Sequence, residues 1–88
     1  MDVLYSKKFL KDIEQINDRK IKKNIETFIE TLTSVSNLKN ISGLRKMVGY
    51  ENYYRIRLGK YRLGLKYESN KITFLRFKHR KDIYDVFP

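Results

Sequence analysis

The stretch "RIRLGKYRLGLKY", residues 55–67, decides the fold. Gly59-Lys60 separates two runs that alternate apolar and basic side chains, and a two-residue loop with glycine first favours a type II′ hairpin turn. Such a turn fixes the register. Leu58 then faces Tyr61, Ile56 faces Leu63 and Tyr54 faces Leu65, giving one apolar face. On the opposite face Arg57 meets Arg62 and Arg55 meets Gly64. A slip of one residue would exchange the faces, so the apolar pattern protects this pairing.

The run at residues 72–78 extends the sheet. The apolar face is read as continuing with Leu63 beside Leu75 and Tyr61 beside Phe77. Ser69-Asn70-Lys71, read as a three-residue loop, sets Arg62 beside Lys78 and Gly64 beside Arg76. Two rows therefore cross the strands, Arg57–Arg62–Lys78 and Arg55–Gly64–Arg76. Like charges opposed across strands destabilise a sheet by up to about 1 kcal/mol per pair. A face shaped for solubility alone would mix signs, and this one has no acid. Gly64 weakens its strand but leaves a gap where another backbone can approach. The rows read better as a cradle for a phosphate backbone than as a solvated outer face.

Upstream, "DVLYS" at 2–6 is a short β-type run, and Ser6 can cap a helix to about Ile16, with Phe9, Ile13 and Ile16 on one face. Asp18 is the N-cap expected for a second helix, on which Ile21, Ile25, Phe28, Ile29 and Leu32 recur with helical period. Residues 33–50 read as irregular, with Leu38, Ile41, Leu44 and Met47 spaced to pack down. Three strands follow, at 53–58, 61–67 and 72–78, then a polar tail that is helical or a turn at 80–86. The expectation is a single α+β domain over 1–88 with order β-α-α-β-β-β, its antiparallel sheet packed on a helical hairpin. A helix pair covers one sheet face and leaves the other to a partner.

Composition narrows the partner. A net charge of +10 on 88 residues suggests a polyanion, nucleic acid before membrane. Residues 1–51 carry +3 of it and residues 52–88 carry +7. Without cysteine there are no disulfides and no thiolate metal site, and a cytoplasmic setting fits; no signal peptide or membrane span is read. No cluster of His, Asp and Glu has metal-ligand spacing, so neither metal nor cofactor is expected. The tail "FKHRKDIYDVF" adds Lys78, His79, Arg80, Lys81 and Tyr84 to the basic edge. Its only histidine suits packing as well as catalysis, and Tyr84 suits anchoring as well as stacking on a base.

"YYRIRLGKYRLGLKY" followed by "FLRFKHRKDIY" resembles the RelE/ParE superfamily of type II toxins, over nearly the whole chain. The superfamily's RelE-like members are ribosome-dependent mRNA endonucleases, and its ParE-like members poison DNA gyrase. The resemblance implies the RelE-like branch: metal-independent cleavage, with Arg62 stabilising the transition state and Tyr84 stacking on the substrate or moving a proton. Arg55 and Arg57 match the RelE-like basic pair on the strand after the helices. By their place in the patch, Arg55, Arg76 and Lys81 lie toward its edges and are expected mainly to hold phosphates of a bound RNA. Lys78 stands where the family has an arginine, followed by His79 and Arg80, and the proton donor is one of these three. The implied partners are an acidic antitoxin, the ribosome and mRNA, with no membrane and no small-molecule ligand. The alternatives are a gyrase poison and a non-catalytic RNA-binding relative.

Overall fold

The computed structural model describes residues 2–35, 38 and 41–88. Its elements run β1 (Asp2–Tyr5), α1 (Lys7–Glu14), α2 (Arg19–Thr33), β2 (Leu44–Lys46), β3 (Tyr53–Leu58), β4 (Tyr61–Glu68), β5 (Lys71–His79) and α3 (Ile83–Val86). The five strands form one sheet in the order β1-β5-β4-β3-β2. Ser6 and Asp18 cap the two long helices as expected, their side chains accepting from Phe9 N–H and from Lys20 and Ile21 N–H. The first helix ends at Glu14 rather than Ile16, which lies buried in the following turn.

The architecture departs from expectation at both sheet edges. β1 pairs parallel with β5, so the sheet is mixed rather than antiparallel. The segment read as irregular contains β2, which pairs antiparallel with β3 and sets Arg45 opposite Arg55. Three residues are too few to carry an alternation signal. Leu38, Ile41 and Leu44 do pack into the main core, with Phe9, Ile25, Leu32, Ile56, Leu63 and Phe74 at its centre.

The β3–β4 register is as derived: Leu58↔Tyr61, Ile56↔Leu63, Tyr54↔Leu65, Arg57↔Arg62 and Arg55↔Gly64. Gly59 has φ +61°, as a type II′ turn requires of its first residue. The β4–β5 connection is different. Its loop has two residues, Ser69 and Asn70, both in the left-handed region at φ 51° and 61°, the type I′ pattern. A bulge then leaves Leu75 without a direct partner between Gly64↔Arg76 and Leu65↔Phe74. The shorter loop and the extra residue offset one another, so Arg62 still faces Lys78 and Gly64 still faces Arg76. The expected apolar pairs Leu63–Leu75 and Tyr61–Phe77 lie two residues out of register with these rows, and the observed pairs are Leu63↔Phe77 and Tyr61↔His79.

The bulge also sends Leu75 to the face away from the helices. There it joins a second small core with Met47, Tyr53, Ile83 and Phe87. That face is therefore not wholly free, because the C-terminal segment crosses it. The gap at Gly64 is filled from within: a Cβ there would lie 2.6 Å from the Phe87 ring.

Asp12 ties α1 to the open edge of β5. The carboxylate is 4% exposed and accepts from Arg76 Nε (2.9 Å), Arg76 Nη2 (3.1 Å) and the Phe77 N–H (3.0 Å). The Lys78 ammonium lies 3.3 Å away. β1 has already ended at Tyr5, so the carboxylate takes the ladder position that a longer strand would have filled. Burial pushes the Asp12 carboxyl up, but the Arg76 and Phe77 hydrogen bonds and the two cations outweigh it, and its pKa falls below the ordinary 3.8.

Two outcomes follow from this packing. Gly64→Ala is expected to cost roughly 1–3 kcal/mol, the scale of overpacking, in urea unfolding followed by circular dichroism. Asp12→Asn should cost about 3 kcal/mol at pH 7, because the largely covered Arg76 is left without its counter-charge. With a folded pKa below the unfolded one, the Asp12 contribution is complete above about pH 4. It is lost as pH falls through the lower folded value. The gap between Asp12→Asn and the unmodified chain should therefore narrow in urea titrations taken from pH 7 to pH 2.

Candidate functional site

On the face away from the helices, β2, β3, β4 and the tail enclose an open cleft of about 280 Å³. Arg45, Arg55, Arg57, Arg62 and Tyr84 line it. The register explains the gathering: Arg45 opposes Arg55, and Arg57 opposes Arg62. Among the described residues none of these four arginines pairs with a carboxylate. Arg45 was missed by sequence reasoning because its strand was not recognised; its pairing with Arg55 became visible only once β2 was placed.

Arg62 lies at the centre of this charge. Its Nη1 donates to the carbonyls of Gly59 and Tyr61, each at 2.9 Å, which holds the guanidinium at the hairpin tip. Desolvation, followed by repulsion from Arg57 and Arg55, moves its pKa below the ordinary guanidinium value, with Arg80 adding to the repulsion and Tyr84 opposing it. The guanidinium stays charged at neutral pH but is short of counter-charge, the condition under which an incoming phosphate is held most strongly.

Tyr84 stands 67% exposed on α3, and the Arg55 guanidinium carbon lies 4.7 Å from its ring centre. This cation–π contact leaves the outer ring face open for a base. The start of the tail is tied to the same hairpin tip, since Arg80 N–H donates to the Lys60 carbonyl at 2.8 Å.

The remaining sequence-derived candidates lie elsewhere. Arg76 is committed to Asp12, and its side chain is only 18% exposed. Lys78 faces Arg62 across the strands, yet its ammonium turns to Asp12 and to Gln15 Oε1, 3.4 Å away. His79 opposes Tyr61 on the helix side, with its ring edge-on to that tyrosine and its Nδ1 accepting from Lys81 N–H at 3.2 Å. Lys81 is exposed in the turn beyond β5, outside the cleft. The structure thus brings Arg55, Arg57, Arg62 and Tyr84 together and sets Arg76, Lys78 and His79 apart from them.

A larger cavity, about 590 Å³ between α2 and the β3–β4 turn, is apolar and lies over Ile21, Phe28, Leu58 and Tyr61. It lacks the arginines of the cleft.

Known proteins resemble this chain over most of its length. Residues 3–84 match the family of the ParE toxin of type II toxin–antitoxin systems. The chain is 42% identical to Toxin RelE3 of Methanocaldococcus jannaschii over 89 aligned residues, covering 100% of both. It is also similar to a chain of the RelB–RelE antitoxin–toxin complex from Methanococcus jannaschii, with TM-score 0.82 and 40% identity over 97% of this chain and 99% of the other. The fold recurs in the archaeal RelE–RelB complex from Pyrococcus horikoshii OT3, at TM-score 0.71 and 22% identity, covering 90% and 93% of the two chains. With a family match over residues 3–84 and a relative 42% identical over the full chain, this protein belongs to the RelE/ParE superfamily of type II toxin–antitoxin toxins.

Proposed function

We propose that the chain is a ribosome-dependent mRNA endonuclease restrained by an acidic antitoxin. The observation that carries this reading is the cleft in which Arg45, Arg55, Arg57 and Arg62 meet Tyr84 with no carboxylate among them. A related toxin with 40% identity forms an antitoxin–toxin complex, which supports a protein antitoxin here. The +10 charge favours an acidic one.

The chemistry available to these groups is attack by an RNA 2′-oxygen on the adjacent phosphorus. The P–O2′ bond forms and the P–O5′ bond breaks, leaving a 2′,3′-cyclic phosphate and a 5′-hydroxyl. One proton leaves the 2′-oxygen and another reaches the 5′-oxygen. Arg62, held by two carbonyls and pressed by Arg57 and Arg55, meets the charge that develops on the phosphoryl oxygens. Tyr84 is the proton-transfer or base-stacking group nearest that charge, and Arg80 is the sequence-derived donor whose charge reaches Arg62. Neither tyrosine nor arginine titrates near neutrality, so rate depends on geometry, which mRNA held by the ribosome would supply. A gyrase poison would need the cations but no such geometry.

Arg62→Ala and Tyr84→Phe should each slow single-turnover cleavage of mRNA on programmed ribosomes by roughly 10²-fold or more. His79→Gln should cost far less, because the imidazole points to the helix side. Undiminished cleavage in both Arg62→Ala and Tyr84→Phe would sink this mechanism, and gyrase stalling without RNA cleavage would replace it. Arg45→Ala should weaken binding of single-stranded RNA and reduce the salt slope by about one unit, read by fluorescence anisotropy from 50 to 200 mM salt. Arg76→Ala should leave that slope unchanged, since Asp12 already holds the guanidinium.

A further inference from the structure

We infer that Phe87 is a positioning residue that holds Tyr84 in the arginine cleft, a role that rests on the endonuclease reading above. α3 has four residues, too short to persist on its own. Its placement must come from the side chains that anchor it. Ile83 is fully buried and Phe87 is 4% exposed, whereas Tyr84 between them is 67% exposed. Phe87 N–H donates to the Ile83 carbonyl at 2.9 Å, closing one turn between the two anchors.

The seat for Phe87 is built for a ring. Gly64 supplies its floor, since any Cβ there would meet the ring at 2.6 Å, and Tyr53 stacks on it with centroids 5.9 Å apart at 17°. Gly64 is the cross-strand partner of Arg55, whose guanidinium covers Tyr84. One cross-strand pair therefore grips the tail twice, through a ring on the glycine and a ring under the arginine. Loss of the first grip leaves Tyr84 held by a single cation–π contact, weak at an exposed site. Phe87 itself lines no part of the cleft, so its effect on the reaction runs through Tyr84.

The test is a double-mutant cycle on the full chain, with folding checked by circular dichroism. Single-turnover cleavage of mRNA on programmed ribosomes should slow about 10- to 100-fold in Phe87→Ala. The ribosome concentration at half-saturation should change less than about threefold. Phe87→Leu should recover most of the rate. The Tyr84→Phe, Phe87→Ala double variant should be no slower than Tyr84→Phe alone to within about threefold, because both remove the same group from the cleft. A double loss equal to the product of the single losses overturns the inference, as does full activity in folded Phe87→Ala.

A second readout needs no RNA. The Tyr84 ring resonances in NMR spectra should move to those of a mobile tyrosine in Phe87→Ala and in Gly64→Ala, but not in Phe87→Leu. Should Phe87→Ala fail to fold, Gly64→Ala carries the same comparison. If the unmodified protein cleaves nothing, the endonuclease reading fails alone. The positioning of Tyr84 then stands or falls on whether its resonances shift.

Discussion

Asp12 is the single carboxylate on which the arrangement of cations depends. It satisfies an N–H on the open edge of β5, neutralises Arg76 and draws the Lys78 ammonium toward α1. The basic residues of the sheet are thereby divided. Arg76 and Lys78 serve the fold, while Arg45, Arg55, Arg57 and Arg62 stay without carboxylate partners among the described residues. A buried acid is expensive to desolvate, and here a bidentate guanidinium, a backbone donor and an ammonium together meet that cost.

The four remaining arginines repel one another, so the cleft is held open by structure rather than by its own attractions. Short connections supply that structure. The type II′ turn fixes β3 against β4, and Arg62 is fastened back onto the same turn by two carbonyls. β2 adds Arg45 from the edge, and the tail closes the remaining side with Tyr84. Two small cores thus flank one sheet: the larger supports the strands, and the smaller, around Phe87 and Ile83, places the tyrosine.

Much of this was legible in the residues. Glycine at the turn and strict alternation specified the β3–β4 register, and helical period with an Asp18 cap specified α2. Both signals are local, so they survive reading in one dimension. The missed features are non-local or short. β1 finds its parallel partner β5 across most of the chain, and β2 is three residues long. The bulge at Leu75 offset a loop one residue shorter than read, so the basic rows came out correct; the apolar pairs read with them, Leu63–Leu75 and Tyr61–Phe77, did not share that register. Asp12 gave a usable hint, because it stands three residues after Phe9 and thus on a buried helix face. Arg76 read as a free cation because its partner lies 64 residues away. Phe87 lay beyond the basic motif, where nothing in its neighbours marks a ring seat.

The parallel pairing of β1 with β5 bears on how the chain reaches this state. Strands β3, β4 and β5 are joined by two-residue turns, so their meander can assemble through contacts close in sequence. The hydrogen bond from Ser6 to the Leu75 carbonyl spans 69 positions, and a closure of that length is entropically slow. α1 is therefore expected to dock after the meander has formed, bringing Asp12 with it. Until then Arg76 and Lys78 stand uncompensated beside Arg57 and Arg62, and the half-assembled sheet carries more bare positive charge than the finished one. Polyanions would be attracted to that intermediate more strongly than to the native protein, which makes early folding the stage at which a strongly basic chain is most exposed to promiscuous capture.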